Sequence, residues 1–244
     1  MRACCGVEEL GGGVLQFDGS YNDVNIITPE HCNAPMNTSE AHELLETHEL
    51  LTFAATGAVN ATQDLVRRVR AGVEGADAEL VAEETLVLVA VATSRAVEVG
   101  LRSGAPAEAR EQLCEALLAL PFTYRDYLTG RAMLAQGERE VAGAMAEDAQ
   151  STREGLERKR QFYTSHLPAG RFPGEHALSE KMALWMGRIS PPKLPEMPQE
   201  RLEKLELVDP LVAHLKVVLA AARRRATTGE TADGEQQTAE RAAR

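Results

Sequence analysis

The chain is poor in aromatic residues: Phe, Tyr and Trp make up 4% of its 244 residues, with a single Trp. Its 44% hydrophobic content must come from aliphatic side chains, and Ala, Leu and Val supply most of it. Ala and Leu are strong helix formers, so this bias predicts an all-α protein. Lysine is scarce too, at 5 residues against 21 arginines. With a formal net charge of −11 the chain lacks the basic surface that phosphate contacts need, which argues against nucleic-acid binding. No apolar run reaches the ~20 residues of a membrane-crossing helix. An apolar leader is not expected, since Arg2 is followed by Ala3, Cys4 and Cys5. The four cysteines, Cys4, Cys5, Cys32 and Cys114, include no Cys-x-x-Cys pair. Without a secretion signal they predict reduced thiols in a cytoplasmic protein, and neither a disulfide framework nor a zinc site.

Familiar catalytic motifs are also missing. There is no Gly-x-Ser-x-Gly elbow, and Gly11, Gly12 and Gly13 lack the Lys-Ser/Thr and helix of a phosphate loop. Cys114 lies among Ala and Leu, where a thiol behaves as a small hydrophobe. The expectation is a protein without catalytic function.

What the sequence does contain is helical periodicity. Over residues 39–73, Leu44, Leu51, Ala55, Ala58, Thr62, Leu65, Val69 and Val73 fall on one stripe, the expected core face of a first helix. His42, Glu46 and Glu49 fall opposite. Phe53 also points outward, with Leu50 to one side. A second helix is expected over residues 77–102. Its middle, LVLVAVA, is apolar all round and predicts a central helix wrapped by its neighbours. Pro106 suits the first turn of a third helix that Pro121 should stop. Residues 123–166 read as a helix broken near Gly130 or Gly137, with a highly charged second half. A short helix over residues 175–188 carries Trp185.

The expected organisation is a helical body over residues 38–188, a Pro-rich connector over 189–208 and an amphipathic helix over 209–225. That last helix opens at Asp209 as N-cap with Pro210 behind it. Flexible or disordered tails occupy residues 1–37 and 226–244. Within the first tail, VLQFDGSYNDVNII could form a short hairpin about Asp18 and Gly19. Met36, followed by the N-capping residues Asn37, Thr38 and Ser39, is an alternative start. The fold class is thus all-α, a helical bundle or a short stack of helical hairpins.

One internal periodicity is visible. Gly104, Ala109, Ala116 and Pro121 recur 33 residues later as Gly137, Ala142, Ala149 and Glu154. The spacing resembles that of tetratricopeptide helical hairpins over roughly residues 90–155, which implies packed helix pairs. Ala96 and Thr129 stand where that family places a large residue, and Leu113 is matched by the small Ala146.

Two pairs, His42/Glu46 and His176/Glu180, have the i, i+4 spacing that lets one helix face share a metal ion. They define an alternative reading, a helical-bundle metalloprotein holding Fe, Mn or Zn. Against it, the chain contains no Glu-x-x-His motif of the dinuclear carboxylate bundles, and a polar first turn explains His42 and Glu46 as well. The preferred reading is an interaction or regulatory module that binds another protein, with self-association compatible. Its contact residues are expected to be Leu50 and Phe53 on the first helix and Arg153, Arg158 and Arg160 on the charged one. The overlapping Pro-x-x-Pro frames of PPKLPEMP read more simply as a stiff connector, and Arg223, Arg224 and Arg225 as favourable charges at a helix C-terminus.

Overall fold

The computed structural model describes residues 38–136, 141–189 and 205–242, with side chains at 47–130, 151–182, 184–189 and 205–227. The expected hairpin and the alternative start at Met36 lie outside these residues, as does most of the connector. The described residues form six helices: α1 (Thr38–Gly72), α2 (Ala78–Gly100), α3 (Ala107–Gln136), α4 (Val141–His166), α5 (Glu175–Ile189) and α6 (Val208–Ala242). Among the described residues there are no strands, and no helix is long and apolar enough to cross a membrane.

The all-round apolar run dictates the architecture. Every residue from Leu86 to Ala92 is buried, as a helix with no polar face requires. α2 is the central element and packs against each of the other five helices. Its start is fixed locally: Asp77 accepts hydrogen bonds from the backbone N–H groups of Glu79 and Leu80, both at 2.9 Å. Gly75 adopts a φ of 75° in the turn from α1, a left-handed conformation that favours glycine.

α1 begins where the sequence suggests, but its buried stripe is turned at the N-terminal end. Ala58, Thr62, Leu65, Val69 and Val73 are buried as expected. Before them, Leu50 and Ala54 are buried, while Leu51 and Ala55 lie at the core margin. α6 causes this shift. The His214 ring packs against Gly57, so α6 covers the flank of α1 that carries Leu50 and Ala54.

Pro121 does not stop α3, which runs unbroken to Gln136 with Pro121 inside it. Leu113, Leu117 and Leu118 are buried against the rest of the body, and this packing holds the helix through the proline. In the turn that the proline opens, the Thr123 hydroxyl donates to the Ala119 carbonyl at 3.3 Å. The 33-residue offset is explained differently too. It matches the spacing between the starts of two consecutive long helices, α3 and α4.

α5 buries Leu178, Met182, Trp185, Met186 and Ile189 along one stripe. α6 buries Leu211, Leu215, Val218 and Ala222, the expected stripe save for Leu219, and continues past Arg225 to Ala242. It approaches α2 very closely. A Cβ at Gly100 would come within 2.5 Å of the Ala222 Cβ, and one at Gly104 within 2.3 Å of the Ala226 carbonyl oxygen. Glycines four apart on the α2 side therefore seat alanines four apart on α6.

Candidate interaction surface

The outer face of α1 is a candidate surface. Phe53 is 46% exposed there, beside Thr52 and Asn60, which are exposed as well. An open groove of about 500 Å³ lies on this face, and its described lining includes His48, Thr52, Phe53, Thr56, Gly57 and Asn60 of α1. The sequence reading placed Leu50 with Phe53 on this surface. The structure corrects that: Leu50 belongs to the hydrophobic core, covered on the α6 side, so Phe53 stands without it.

At the edge of the groove lies a group the sequence reading missed. His214 of α6 reaches the Thr93 hydroxyl of α2 through Nε2 at 3.0 Å, while its Cε1 would meet a Cβ on Gly57 at 2.8 Å. Burial lowers the His214 pKa to about 4 from the usual 6.5, so the ring is neutral at physiological pH. The available signal was weak: His214 sits beside the Leu211/Leu215/Val218 stripe of an amphipathic helix. On the same helix Val217 is 54% exposed, one turn further on.

The charged half of α4 is less free than its sequence suggests. Arg153 pairs with Asp126 of α3 at 3.3 Å, and Arg160 pairs with Glu157 at 2.9 Å. The Arg160 guanidinium holds the Glu157 carboxyl below its usual pKa and lies 5.8 Å from the centre of the Phe122 ring. Arg158 is exposed. These arginines offer a polar margin, with part of their charge already met by acids of the same chain.

A second polar cluster, also missed, is buried where α2, α4 and α5 meet. The Glu84 side chain is 2% exposed. It accepts from Arg188 Nε at 3.0 Å, from Arg188 Nη2 at 2.8 Å and from the Tyr163 hydroxyl at 2.8 Å. Lys159 Nζ stands 3.6 Å away and also pairs with Glu83. The Arg188 guanidinium lies 4.5 Å over the Phe162 ring. Burial, and then the Glu84 charge, push the Tyr163 phenol far above its usual pKa, so it remains a neutral donor. Both carboxylate oxygens are occupied, so the cluster ties three helices together. Burial likewise raises the Cys114 thiol, which keeps it protonated.

Of the four candidate metal ligands, only the side chains of His176 and Glu180 are among the described residues. His176 is 94% exposed and approaches only Glu180, at 3.7 Å, on the same outward face of α5. One His and one Glu fall short of the three or four ligands of a protein metal site. His42 and Glu46 occupy the first turns of α1, and their side chains lie outside the described residues. Among the described residues no three His, Cys, Asp or Glu side chains gather where they could hold an ion.

No protein-family model matches the chain, and no curated protein or solved structure matches it either.

Proposed function

We propose that this protein is a non-catalytic helical adaptor or regulatory module, working in the cytoplasm, that binds another protein through the outer face of α1. The observation that carries this reading is Phe53, a large aromatic side chain 46% exposed beside an open groove on a long, well-anchored helix. Aromatic anchors of this kind supply a disproportionate share of interface energy. α1 is held from behind by α2 and α6, so the face is preorganised and binding orders little backbone. Thr52, Thr56 and Asn60 around Phe53 provide the polar margin usual at such contacts.

The test is affinity capture with the full chain as bait, in wild-type and Phe53→Asp forms, from a lysate of the source cells. A protein retained by wild type and lost from Phe53→Asp, with both baits showing the same helical circular dichroism, is the expected result. Dissociation constants measured on the recovered partner should differ at least tenfold, as for removal of a hot-spot aromatic. Identical captured proteins on both baits would overturn the reading.

A further inference from the structure

We infer that His214 is a pH-sensitive latch: when its ring takes up a proton, α6 opens away from α1 and α2 while the other five helices stay packed on one another.

The first support is the seat of the ring. It lies where three helices meet. Nε2 is 3.0 Å from the Thr93 hydroxyl of α2, and Cε1 is so near Gly57 of α1 that a Cβ there would stand 2.8 Å away. A hydroxyl is a neutral partner, so a charged imidazolium in this seat lacks a counter-charge. The charged groups of the surrounding helices are turned elsewhere. On α1, residues 53–61 carry none. On α2, Arg95 donates to the Leu167 carbonyl and pairs with Glu98. On α6, Asp209 and Lys216 are exposed. On α5, which also packs against α6, Arg188 holds Glu84, Lys181 meets Glu180, and Glu175 and His176 are exposed. Burial lowers the ring's pKa to about 4, and that penalty on the charged form is relieved once α6 opens and the ring meets water.

The second support is a hinge. Glu206, two residues before α6, has a φ of 49°, a left-handed turn conformation uncommon for a residue with a side chain. Arg68 of α1 donates to its carbonyl at 3.3 Å and pairs with its carboxylate at 3.6 Å, and Leu205 beside it packs on Gly72. The base of α6 is thus tied to α1 at this turn, and the helix swings about it. The third support is connectivity. α6 follows the other five helices, and α2 keeps its contacts with α1, α3, α4 and α5 when α6 leaves. Opening one such element takes less free energy than unfolding the whole body. It uncovers Leu50 and Ala54 of α1 and Leu211 and Leu215 of α6, an apolar surface that stays closed at neutral pH.

The experiment is hydrogen–deuterium exchange with mass spectrometry on the full chain from pH 5 to 8, corrected for the pH dependence of unprotected amide exchange. Protection of residues 211–222 should fall about twentyfold between pH 7 and pH 5, the ratio set by ring pKa values of about 4 closed and 6.5 open. At pH 5 it should stand at least tenfold below that of residues 86–92 of α2. His214→Gln should flatten the fall. Equal protection of the two segments at every pH overturns the inference, because α6 then opens only with the whole fold. So does a fall that survives His214→Gln. Should that variant fail to fold, the wild-type profile decides alone: a decline that starts between pH 7 and 6 carries the histidine's signature, and one that starts only near pH 5 belongs to carboxylates and sinks the latch.

Discussion

Glu84 is a carboxylate with its side chain 2% exposed, whereas Arg188, its main partner, is 33% exposed. The two charges therefore stand at unequal risk. Losing Arg188 leaves a buried anion with only the Tyr163 hydroxyl and Lys159 at 3.6 Å for support. Losing Glu84 leaves a cation that can turn toward water. Breaking a buried pair by removing one partner typically costs ~3–5 kcal/mol, most of it from the charge left behind. Arg188→Met should thus cost about 3 kcal/mol in urea denaturation, and Glu84→Leu clearly less. The double variant should lie within about 1 kcal/mol of Glu84→Leu, because the two losses are not additive. The reverse order of the single variants would show that the guanidinium, and not the carboxylate, is the group that cannot stand alone.

His214 makes the stability of the fold depend on pH. Its folded pKa of about 4 lies below the usual 6.5, so the unfolded chain takes up the proton first. Stability is therefore complete above pH 6.5 and falls as the pH drops from 6.5 toward 4. The sum over this window is about 2.5 kcal/mol at pH 4.5. His214→Gln keeps a polar group near Thr93 but does not titrate. Urea midpoints at pH 7, 5.5 and 4.5 should fall less steeply for this variant than for wild type. An equal slope in both proteins would sink the assignment of this acid sensitivity to His214.

At the scale of elements, what could be read from the sequence depended on how many neighbours decide a residue's environment. α2 was legible because its run from Leu86 to Ala92 leaves no polar side, and only a helix surrounded by others accepts that. The start of α2 near Asp77 and the short helix α5 were legible for similarly local reasons. The N-terminal half of α1 was not. Leu50 and Leu51 are both credible core residues by spacing, and the choice is made by α6, which returns much later in the chain to seat His214 on Gly57. Pro121 shows the opposite failure. A local rule predicts a stop, and burial of Leu113, Leu117 and Leu118 overrides it. The 33-residue spacing corresponds to the offset between the starts of two long helices, α3 and α4. Of the proposed contact surface, Phe53 was visible because an aromatic on a polar face stands out. His214 and Glu84 were not, since their partners Thr93 and Arg188 are 121 and 104 residues away.

For the whole molecule, α6 decides where the folded body ends. It closes the bundle against α1, α2 and α5, and its contact with α2 runs along Gly100 and Gly104 as far as Ala226, the last buried side chain described. The sequence beyond, residues 228–244, offers Thr, Gly, Glu, Ala, Asp, Gln and Arg. A helix there has no apolar stripe to bury, and helices without tertiary packing are marginal in water. Removing residues 228–244 should therefore leave the melting temperature within about 2 °C of the full chain, since less than ~0.5 kcal/mol is lost. Ending the chain after Lys216 is a different matter. It strips Val218, Ala222 and Ala226 from the core and leaves the cleft at Gly100 and Gly104 open. Several buried side chains go together, each contributing about 1–3 kcal/mol, which equals a large share of the net stability of a domain this size. That truncation should abolish the cooperative melt in differential scanning calorimetry. If instead the 228–244 deletion alone lowers the melting temperature by ten degrees or more, those residues pack on the body, and the boundary at Ala226 is misplaced.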